Sequence, residues 1–242
     1  MKRPWLLRLA RSYARRRLAR AFAGVHVEGL DEVRAAAARS PLLFCANHLS
    51  WWDAFVAVVV DEALGTDGHC LMDEGNLQRL PFFSAIGALP LSMRNPRRAL
   101  TQLAAAGDLL QQSGRALWIF PQGQQAPSWR RPLGFRRGFV RVVEQAPDAL
   151  VVPVSILIVF AQRPEPLLLV RLHPPRALRG EGRAFTADLE ACVARGLDDL
   201  DDAVAADLLP PLLVRGTAGV DEENLGARLL IRAVATTRQG AS

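Results

Sequence analysis

Short apolar runs alternate along the chain with longer stretches in which apolar residues recur at helical spacing. Short continuous apolar runs bounded by turn-forming residues are typical of buried strands, and the longer periodic stretches are typical of helices. The predicted strands are Leu42–Cys45, Ala116–Phe120, Val151–Phe160 and Leu167–Leu172, and the predicted helices include Ala54–Leu64 and Phe185–Asp207. This alternation indicates an α/β fold with a largely parallel sheet covered by helices on both faces.

The composition is that of an ordinary globular protein, with 242 residues, 50% of them hydrophobic and 22% charged. These values exclude intrinsic disorder for the bulk of the chain. No apolar run approaches the ~20 residues that a bilayer-spanning helix needs, so we expect no transmembrane helix. We predict three parts: a basic amphipathic segment over 1–24, a catalytic domain over 25–208 and a C-terminal extension over 209–242.

The positive charge is concentrated at the N-terminus. Eight basic residues and no acidic residue precede Glu28, whereas the remainder carries 22 basic against 24 acidic residues. The same segment contains the apolar residues Trp5, Leu6, Leu9, Tyr13, Leu18 and Phe22. Their burial would add to headgroup attraction at an anionic membrane surface. A solvated first helix and an organellar transit peptide stay open as alternatives. Nucleic acid is not expected as a partner because the rest of the chain has no basic surplus.

The cysteines and histidines predict neither disulfides nor a metal site. The three cysteines are widely spaced without a C-x-x-C pair, and the four histidines lack the spacing of a ligand set. A reducing compartment fits this pattern.

Candidate chemistry follows the first predicted strand, in the block Asn47-His48-Leu49-Ser50-Trp51-Trp52-Asp53. Asp53, in the first turn of the next helix, could fold back and hold the His48 imidazole in one tautomer. The other ring nitrogen would then be free to take a proton from a substrate hydroxyl. The alternative is structural, because Ser50-x-x-Asp53 is also a helix capping box.

Three further blocks follow in order. Arg94 precedes Asn95 and Pro96, which suit the N-cap and first position of a helix, where an anion such as a phosphate is favoured; a solvated helix start is the alternative. Phe120–Gly123 forms a Pro-x-Gly turn that can bring backbone N–H groups and an amide to a ligand. Val152–Val154 places a proline in a central-looking strand, which suggests a bend or an edge.

In order and spacing, the four blocks resemble those of the lysophospholipid acyltransferase family, the 1-acylglycerol-3-phosphate acyltransferases. Asn-His-x-Ser-x-x-Asp is similar to the first block of the family, Gly87…Arg94 to the second, Phe-Pro-x-Gly to the third and Val-Pro-Val to the fourth. The resemblance covers residues 25–175. It implies a mixed, largely parallel sheet flanked by helices, with the N-terminal amphipathic helical segment lying on the membrane.

The resemblance also implies an activity. A fatty acyl group would pass from an acyl-CoA or acyl-ACP thioester to a lipid hydroxyl without an acyl-enzyme, with His48 as general base and Asp53 as its orienter. The protein would be peripheral on the cytoplasmic face of an anionic membrane, without a bound cofactor, with the acyl carrier protein as a candidate partner. The implied substrate-binding residues are Asn47, Ser50, Arg94, Phe120, Pro121, Gln122, Gly123, Gln125, Arg136 and Arg137.

One block departs from the family pattern. The third block of the family usually reads Phe-Pro-Glu-Gly-Thr-Arg, whereas this chain has Gln122, Gln124 and Gln125. Glutamine keeps hydrogen bonds but supplies no cation for a phosphate. We therefore expect an acceptor hydroxyl on a sugar or another uncharged group in preference to lysophosphatidic acid, with Arg136 or Arg137 as a replacement cation under the rival hypothesis. A thioester hydrolase and a catalytically inactive membrane lipid-binding protein are the alternative functions.

Overall fold

The structure, a computed structural model, describes residues 2–217. Eight helices and eight strands are assigned in this range. The helices are α1 (Pro4–Ala21), α2 (Leu30–Ala37), α3 (Asp53–Leu64), α4 (Glu74–Arg79), α5 (Phe82–Ile86), α6 (Pro96–Gly107), α7 (Gly138–Gln145) and α8 (Gly182–Ala205). The strands are β1 (Gly24–Glu28), β2 (Leu42–Ala46), β3 (Asp67–Asp73), β4 (Ala88–Leu91), β5 (Arg115–Ile119), β6 (Leu150–Val159), β7 (Leu167–Leu172) and β8 (Leu212–Arg215).

Local sequence signals account for several helix ends. α1 begins at Pro4 and α6 at Pro96. Proline is suited to the first position of a helix, because an N–H at this position would have no acceptor within the helix. The Asn95 side chain accepts a hydrogen bond from Arg98 N at 3.1 Å, as expected of an N-cap. α3 ends at Gly65, whose φ of 73° lies in the left-handed region that glycine adopts without strain. The α6 cap predicted from the sequence is therefore confirmed.

The strands form one mixed sheet in the order β4-β3-β5-β2-β6-β7-β1-β8. The first five are parallel to one another, whereas β7 pairs with β6, and β8 with β1, in the antiparallel sense. β1 and β7 are parallel to each other. The predicted α/β architecture, a mixed and largely parallel sheet flanked by helices, is confirmed. Its central parallel strand, β2, carries the first sequence block at its carboxyl end.

Side chains of β2 alternate between two cores, one on each face of the sheet. Leu42, Phe44 and Ala46 pack into the core that α1, α2 and α3 cover, and Leu43 and Cys45 pack into the core under α6, α7 and α8. All five residues are fully buried. Burial on both faces explains why the strand reads as a continuous apolar run, and it fixes the position at which the chain leaves the sheet.

A buried carboxyl group attaches α3 to the sheet. Asp61 accepts hydrogen bonds from Thr66 Oγ1 at 2.7 Å and from Trp118 Nε1, on β5, at 3.1 Å. Burial raises the pKa of Asp61 from 3.8 to about 7, although these two hydrogen bonds oppose the rise. Since α3 begins at Asp53, this anchor also restricts the position of the first block.

The N-terminal helix is an integral part of the folded domain. Ala10, Ala14 and Leu18 lie at successive helical turns and are buried, and the last two belong to the core beneath α3. The outward face of α1 carries Trp5, Leu9 and Tyr13, all exposed. Leu18 and Phe22, which were expected to face the membrane with them, are instead buried in the core. The structure therefore adds a core-packing role to the segment over 1–24.

The expected C-terminal extension, from residue 209 onward, contributes a strand to the sheet. Leu212–Arg215 forms β8, which pairs with β1, and Pro211 O accepts a hydrogen bond from Val27 N at 2.8 Å. With four residues, β8 is too short for an alternation of apolar and polar residues to be recognised in the sequence. Only the remainder of the predicted extension, residues 218–242, lies outside the described residues.

Pro153 lies in a central strand and not at an edge of the sheet. β6 pairs with β2 on one side, where Pro153 is the partner of Cys45, and with β7 on the other. The β6–β7 ladder ends at the pair Val154–Leu172, one residue away from the proline. The missing N–H of Pro153 therefore falls where β7 leaves the ladder, which explains why a central strand tolerates it.

Candidate active site

His48 and Asp53 meet at the carboxyl end of β2. The Asp53 Oδ2 atom lies 2.7 Å from His48 Nδ1, and it also accepts hydrogen bonds from Leu49 N at 2.7 Å and Ser50 N at 3.0 Å. The Ser50 hydroxyl accepts from Trp52 N at 3.2 Å and makes no bond to the N–H of Asp53. One carboxylate therefore orients the imidazole and also satisfies backbone donors, so the catalytic and capping hypotheses describe the same group.

The hydrogen bond to Asp53 determines the tautomer of His48. An ionised carboxylate only accepts, so Nδ1 carries the proton and Nε2 is left with a lone pair. The His48 side chain is 26% exposed and that of Asp53 only 1%. Among residues 2–217, Asp53 Oδ1 has no hydrogen-bond partner. The pair thus combines an accessible proton acceptor with a buried anion that holds it.

The third block supports His48 from the other side. The Phe120 ring stacks on the imidazole, with centroids 4.6 Å apart and an interplanar angle of 28°. Gln122 Oε1 accepts a hydrogen bond from His48 N at 2.6 Å, and Ala126 N donates to His48 O at 2.9 Å. The turn is tight because Gly123 adopts a φ of 70°. Both backbone polar groups of His48 are therefore held by the loop that follows β5.

Asn47 has a structural task that differs from the predicted substrate contact. Its Oδ1 accepts from Ile156 N at 2.7 Å and its Nδ2 donates to Ile156 O at 2.9 Å, while the residue is 2% exposed. Both ends of the amide are therefore used by the β6 backbone. Asn47 therefore joins the end of β2 to β6, and it is buried there.

The second block reaches the third through Met93. Its Cε atom lies 3.1 Å from the place that a Cβ on Gly123 would occupy. Arg94 is exposed next to Met93, and it makes no salt bridge within the described part of the chain. Arg94 thus lies on the loop that adjoins the site.

Of the predicted contacts Gln125, Arg136 and Arg137, only Arg136 lines the pocket beside the third block. Gln125 is exposed and Arg137 forms the N-cap of α7, and neither lines the pocket beside the turn. Arg136 lines that pocket, and its Nη1 lies 3.4 Å from the Cβ position of Gly123. The Arg136 N–H donates to Pro121 O at 3.0 Å. The structure therefore brings Arg136, and not Arg137 or Gln125, to the third block.

The pocket has a volume of about 250 Å³ and includes residues outside the predicted substrate-binding set. These are Gln124, Ala126, Arg130, Arg131, Pro132, Leu133 and Gly134. The run Trp129-Arg130-Arg131 was the available signal, because it places two cations in a loop between two recognised motifs. No group of three His, Cys, Asp or Glu side chains suited to a metal ion was found among residues 2–217.

Known proteins resemble this chain in sequence pattern and in fold. The family model described as Acyltransferase matches residues 24–157, which is more than half of the chain. The fold is similar to the crystal structure of the 1-acyl-sn-glycerophosphate (LPA) acyltransferase PlsC from Thermotoga maritima. The TM-score is 0.63 and the identity 19%, over 81% of this chain and 79% of that one. A search of curated protein sequences found no match.

Proposed function

Because this chain belongs to the acyltransferase family, we propose that it transfers a fatty acyl group from acyl-CoA or acyl-ACP to the hydroxyl of a lipid acceptor. The observation that carries this proposal is the His48–Asp53 hydrogen bond of 2.7 Å at the carboxyl end of β2. Substrates of α/β proteins bind at this edge of the sheet. The acceptor is a lysophospholipid or a glycolipid that presents a free hydroxyl.

The reaction needs one base and no acyl-enzyme. His48 Nε2 takes the proton of the acceptor hydroxyl while the hydroxyl oxygen attacks the thioester carbonyl carbon. The C–S bond of the tetrahedral intermediate then breaks, an ester C–O bond remains, and the departing thiolate receives the proton from His48. Asp53 stabilises the imidazolium between the two proton transfers, as a buried carboxylate does for a histidine base.

We further propose that the outward face of α1 docks the enzyme on an anionic membrane. Trp5, Leu9 and Tyr13 are 54%, 55% and 54% exposed, although they recur at helical spacing along one face. Exposed arginines, among them Arg8 and Arg16, accompany this face. Apolar insertion and attraction to acidic headgroups of the cytoplasmic leaflet then act together. No helix within residues 2–217 has the length and apolarity to cross a bilayer.

Aromatic contacts connect this face with the first block, which supports delivery of lipid substrates from the membrane. The ring centroids of Tyr13 and Phe55 are 6.1 Å apart, and those of Phe55 and Trp51 are 6.0 Å apart. The centroids of Trp51 and Phe83 are 6.5 Å apart. Trp51 follows His48 by three residues and is 55% exposed. These rings give an acyl chain an apolar path from α1 to Trp51, in the first block.

The test of the function is acceptor dependence. Purified protein on phosphatidylglycerol vesicles receives palmitoyl-CoA with and without lysophosphatidic acid or a monoglycosyl lipid, and released thiol and new ester are both quantified. We expect thiol release to require an acceptor and to equal the ester formed. Thiol release without acceptor, with free fatty acid as the product, would identify a hydrolase, and the absence of release with palmitoyl-CoA and with palmitoyl-ACP would identify an inactive lipid-binding protein.

A further inference from the structure

A second surface of the molecule combines exposed apolar side chains with positive charge. Helices α4 and α5 meet at a corner formed by residues 79–83, in which Leu80 and Phe82 are 42% and 45% exposed. None of the five residues of α5 is buried. Exposed apolar side chains that lie next to one another mark an interaction site, whereas isolated ones need no explanation. Neither the His48–Asp53 pair nor the outward face of α1 includes this α4–α5 corner.

The corner lies in a stretch of the chain that carries no acidic residue. Between Glu74 and Asp108 the sequence has four arginines and neither Asp nor Glu. Arg79, at the corner itself, is exposed and bonds the side chain of Asn76. It makes no salt bridge with any residue of the range 2–217. The chain is thus acid-free before Glu28 and again here, although its other residues carry more acidic than basic side chains.

The α4–α5 corner is continuous with the outward face of α1. Arg3 N, just before α1, donates a hydrogen bond to Ala85 O at 3.0 Å, which places α5 alongside the start of α1. The ring centroids of Phe82 and Phe83 are 5.6 Å apart, and that of Phe83 is 6.5 Å from that of Trp51. One apolar surface therefore runs from α1 over α5 to Trp51 of the first block.

The charges select a lipid surface over a second copy of the chain as the partner. In a twofold dimer the corner would face its own copy, and the two Arg79 guanidinium groups would repel each other. The edge strand β4 contains Pro90, which has no N–H to donate, so strand pairing between two copies is also disfavoured. An anionic leaflet gives the guanidinium group phosphate partners, and its acyl region accepts the apolar side chains.

We propose that the α4–α5 corner is a second membrane-docking element, which inserts Leu80 and Phe82 into the anionic leaflet and places Arg79 at the headgroups. The proposal rests on the proposed function, because it extends the docking surface proposed for α1. A single helix on the membrane leaves the domain free to roll about the helix axis, whereas a second contact restricts this rotation. Trp51, whose neighbours connect the two elements, is then held at the membrane surface.

Sedimentation of the full-length chain with vesicles tests the corner. Leu80→Glu with Phe82→Glu should lower the partition coefficient on phosphatidylglycerol vesicles roughly tenfold or more, because two apolar side chains no longer insert. Arg79→Gln should lower it roughly fivefold there and leave it unchanged on phosphatidylcholine alone. The matched control is Leu208→Glu, since Leu208 is 73% exposed but follows α8, which covers the opposite face of the sheet from α1.

A fluorescent probe shows directly whether the corner inserts. Phe82→Cys, labelled with a nitrobenzoxadiazole group, should gain fluorescence on phosphatidylglycerol vesicles and be quenched by lipids that are spin-labelled in the acyl chain. Labelled Leu208→Cys should show neither change, and the wild-type protein carried through the same labelling gives the background from its own cysteines. A probe at position 82 that is already shielded without vesicles would reveal a protein occupant, either a second copy or residues 218–242, and would overturn the proposal.

The possible failures are separable. Vesicle binding needs no turnover, so a protein that forms no ester would refute the proposed reaction and leave this prediction in force. A loss of binding with Leu9→Glu, Tyr13→Glu and none with Leu80→Glu, Phe82→Glu would overturn the corner and leave docking by α1. An equal loss with Leu208→Glu would also overturn it, because the effect would then not depend on where the charge is added. Absence of vesicle binding by the wild-type protein would overturn both docking elements.

Discussion

Replacing Asp53 with Asn tests how the carboxylate acts on His48. Asp53 Oδ2 accepts from three donors, at 2.7 Å from His48 Nδ1, 2.7 Å from Leu49 N and 3.0 Å from Ser50 N. In the variant the amide oxygen must occupy this position, because an amide NH₂ group there would face three donors. We therefore expect the variant to keep the Nδ1–H tautomer of His48.

Asp53→Asn removes the negative charge of the side chain and keeps its hydrogen bond to His48. A neutral hydrogen bond contributes ~0.5–1.5 kcal/mol, against ~1.5–3 kcal/mol for one to a charged group. The imidazolium would lose about 1–1.5 kcal/mol of stabilisation, which corresponds to a roughly tenfold slower reaction. Removal of a general base costs ~10²- to 10⁴-fold. Asp53→Asn should therefore be clearly milder than His48→Ala.

The assay is the rate of ester formation at saturating donor and acceptor, measured beside thermal unfolding. The new NH₂ group would lie at the position of Oδ1, which is buried and has no partner among residues 2–217, so we expect stability to fall by ~1–3 kcal/mol. Glu62→Gln is a matched control on the same helix, since the Glu62 side chain bonds Arg15 and not the first block, and it should keep the wild-type rate. A folded Asp53→Asn protein as slow as His48→Ala would refute the tautomer argument, and an unchanged rate would remove Asp53 from the reaction.

Three further predictions concern docking, pH and the β2–β6 connection. Leu9→Glu with Tyr13→Glu should weaken sedimentation with anionic vesicles, because both side chains lie on the outward face of α1. Burial raises the pKa of Asp61 from 3.8 to about 7, so its contribution to stability is fully present below pH 3.8 and is lost as the pH rises to about 7. The free energy of unfolding, measured with urea, should therefore lose up to about 4 kcal/mol over this pH range in the wild type. Asp61→Asn should abolish this part of the pH dependence. Asn47→Ala should lower stability by ~2–5 kcal/mol, because it leaves the N–H and C=O of Ile156 unpaired.

Each of these has a contrary result. Unchanged vesicle binding by the Leu9→Glu, Tyr13→Glu variant would show that the docking surface does not lie on this face of α1. Point variants are needed here, since deletion of the segment would also remove buried Ala14 and Leu18. Parallel stability–pH curves for the wild type and Asp61→Asn would show that this carboxyl group is not protonated in the folded state. An Asn47→Ala protein as stable as the wild type would contradict this prediction, because the N–H and C=O of Ile156 would then be satisfied without the Asn47 amide.

Local signals allowed the central part of the fold and the His48–Asp53 contact to be predicted. β2 is a continuous apolar run, α3 follows it within one short turn, and the five-residue separation brings Asp53 back to His48 without any long-range information. β7 was predicted with the same bounds that the structure shows. Burial on both faces of the sheet produces this unambiguous pattern.

Other elements could not be predicted because their neighbours are distant in sequence. β3 begins with Asp67 and Gly68 and lies near the sheet edge, so it lacks an apolar run. The hydrogen bond from His48 N to Gln122 spans 74 positions, and the closeness of Arg136 to Gly123 depends on how the loop folds back. A single sequence shows which residue types are available, but it does not show which cation reaches the turn.

The central claim is that His48 is the base of an acyl transfer to a lipid hydroxyl, and the rate of ester formation by His48→Ala tests it most directly. His26→Gln is the matched control, because His26 lies in β1, three strands away from β2, and within residues 2–217 its side chain bonds only Pro210 O, at 2.7 Å. With palmitoyl-CoA and the preferred acceptor, we expect folded His48→Ala to form ester ~10²- to 10⁴-fold more slowly than the wild type and His26→Gln to match it. Ester formation by His48→Ala at the wild-type rate would contradict the account.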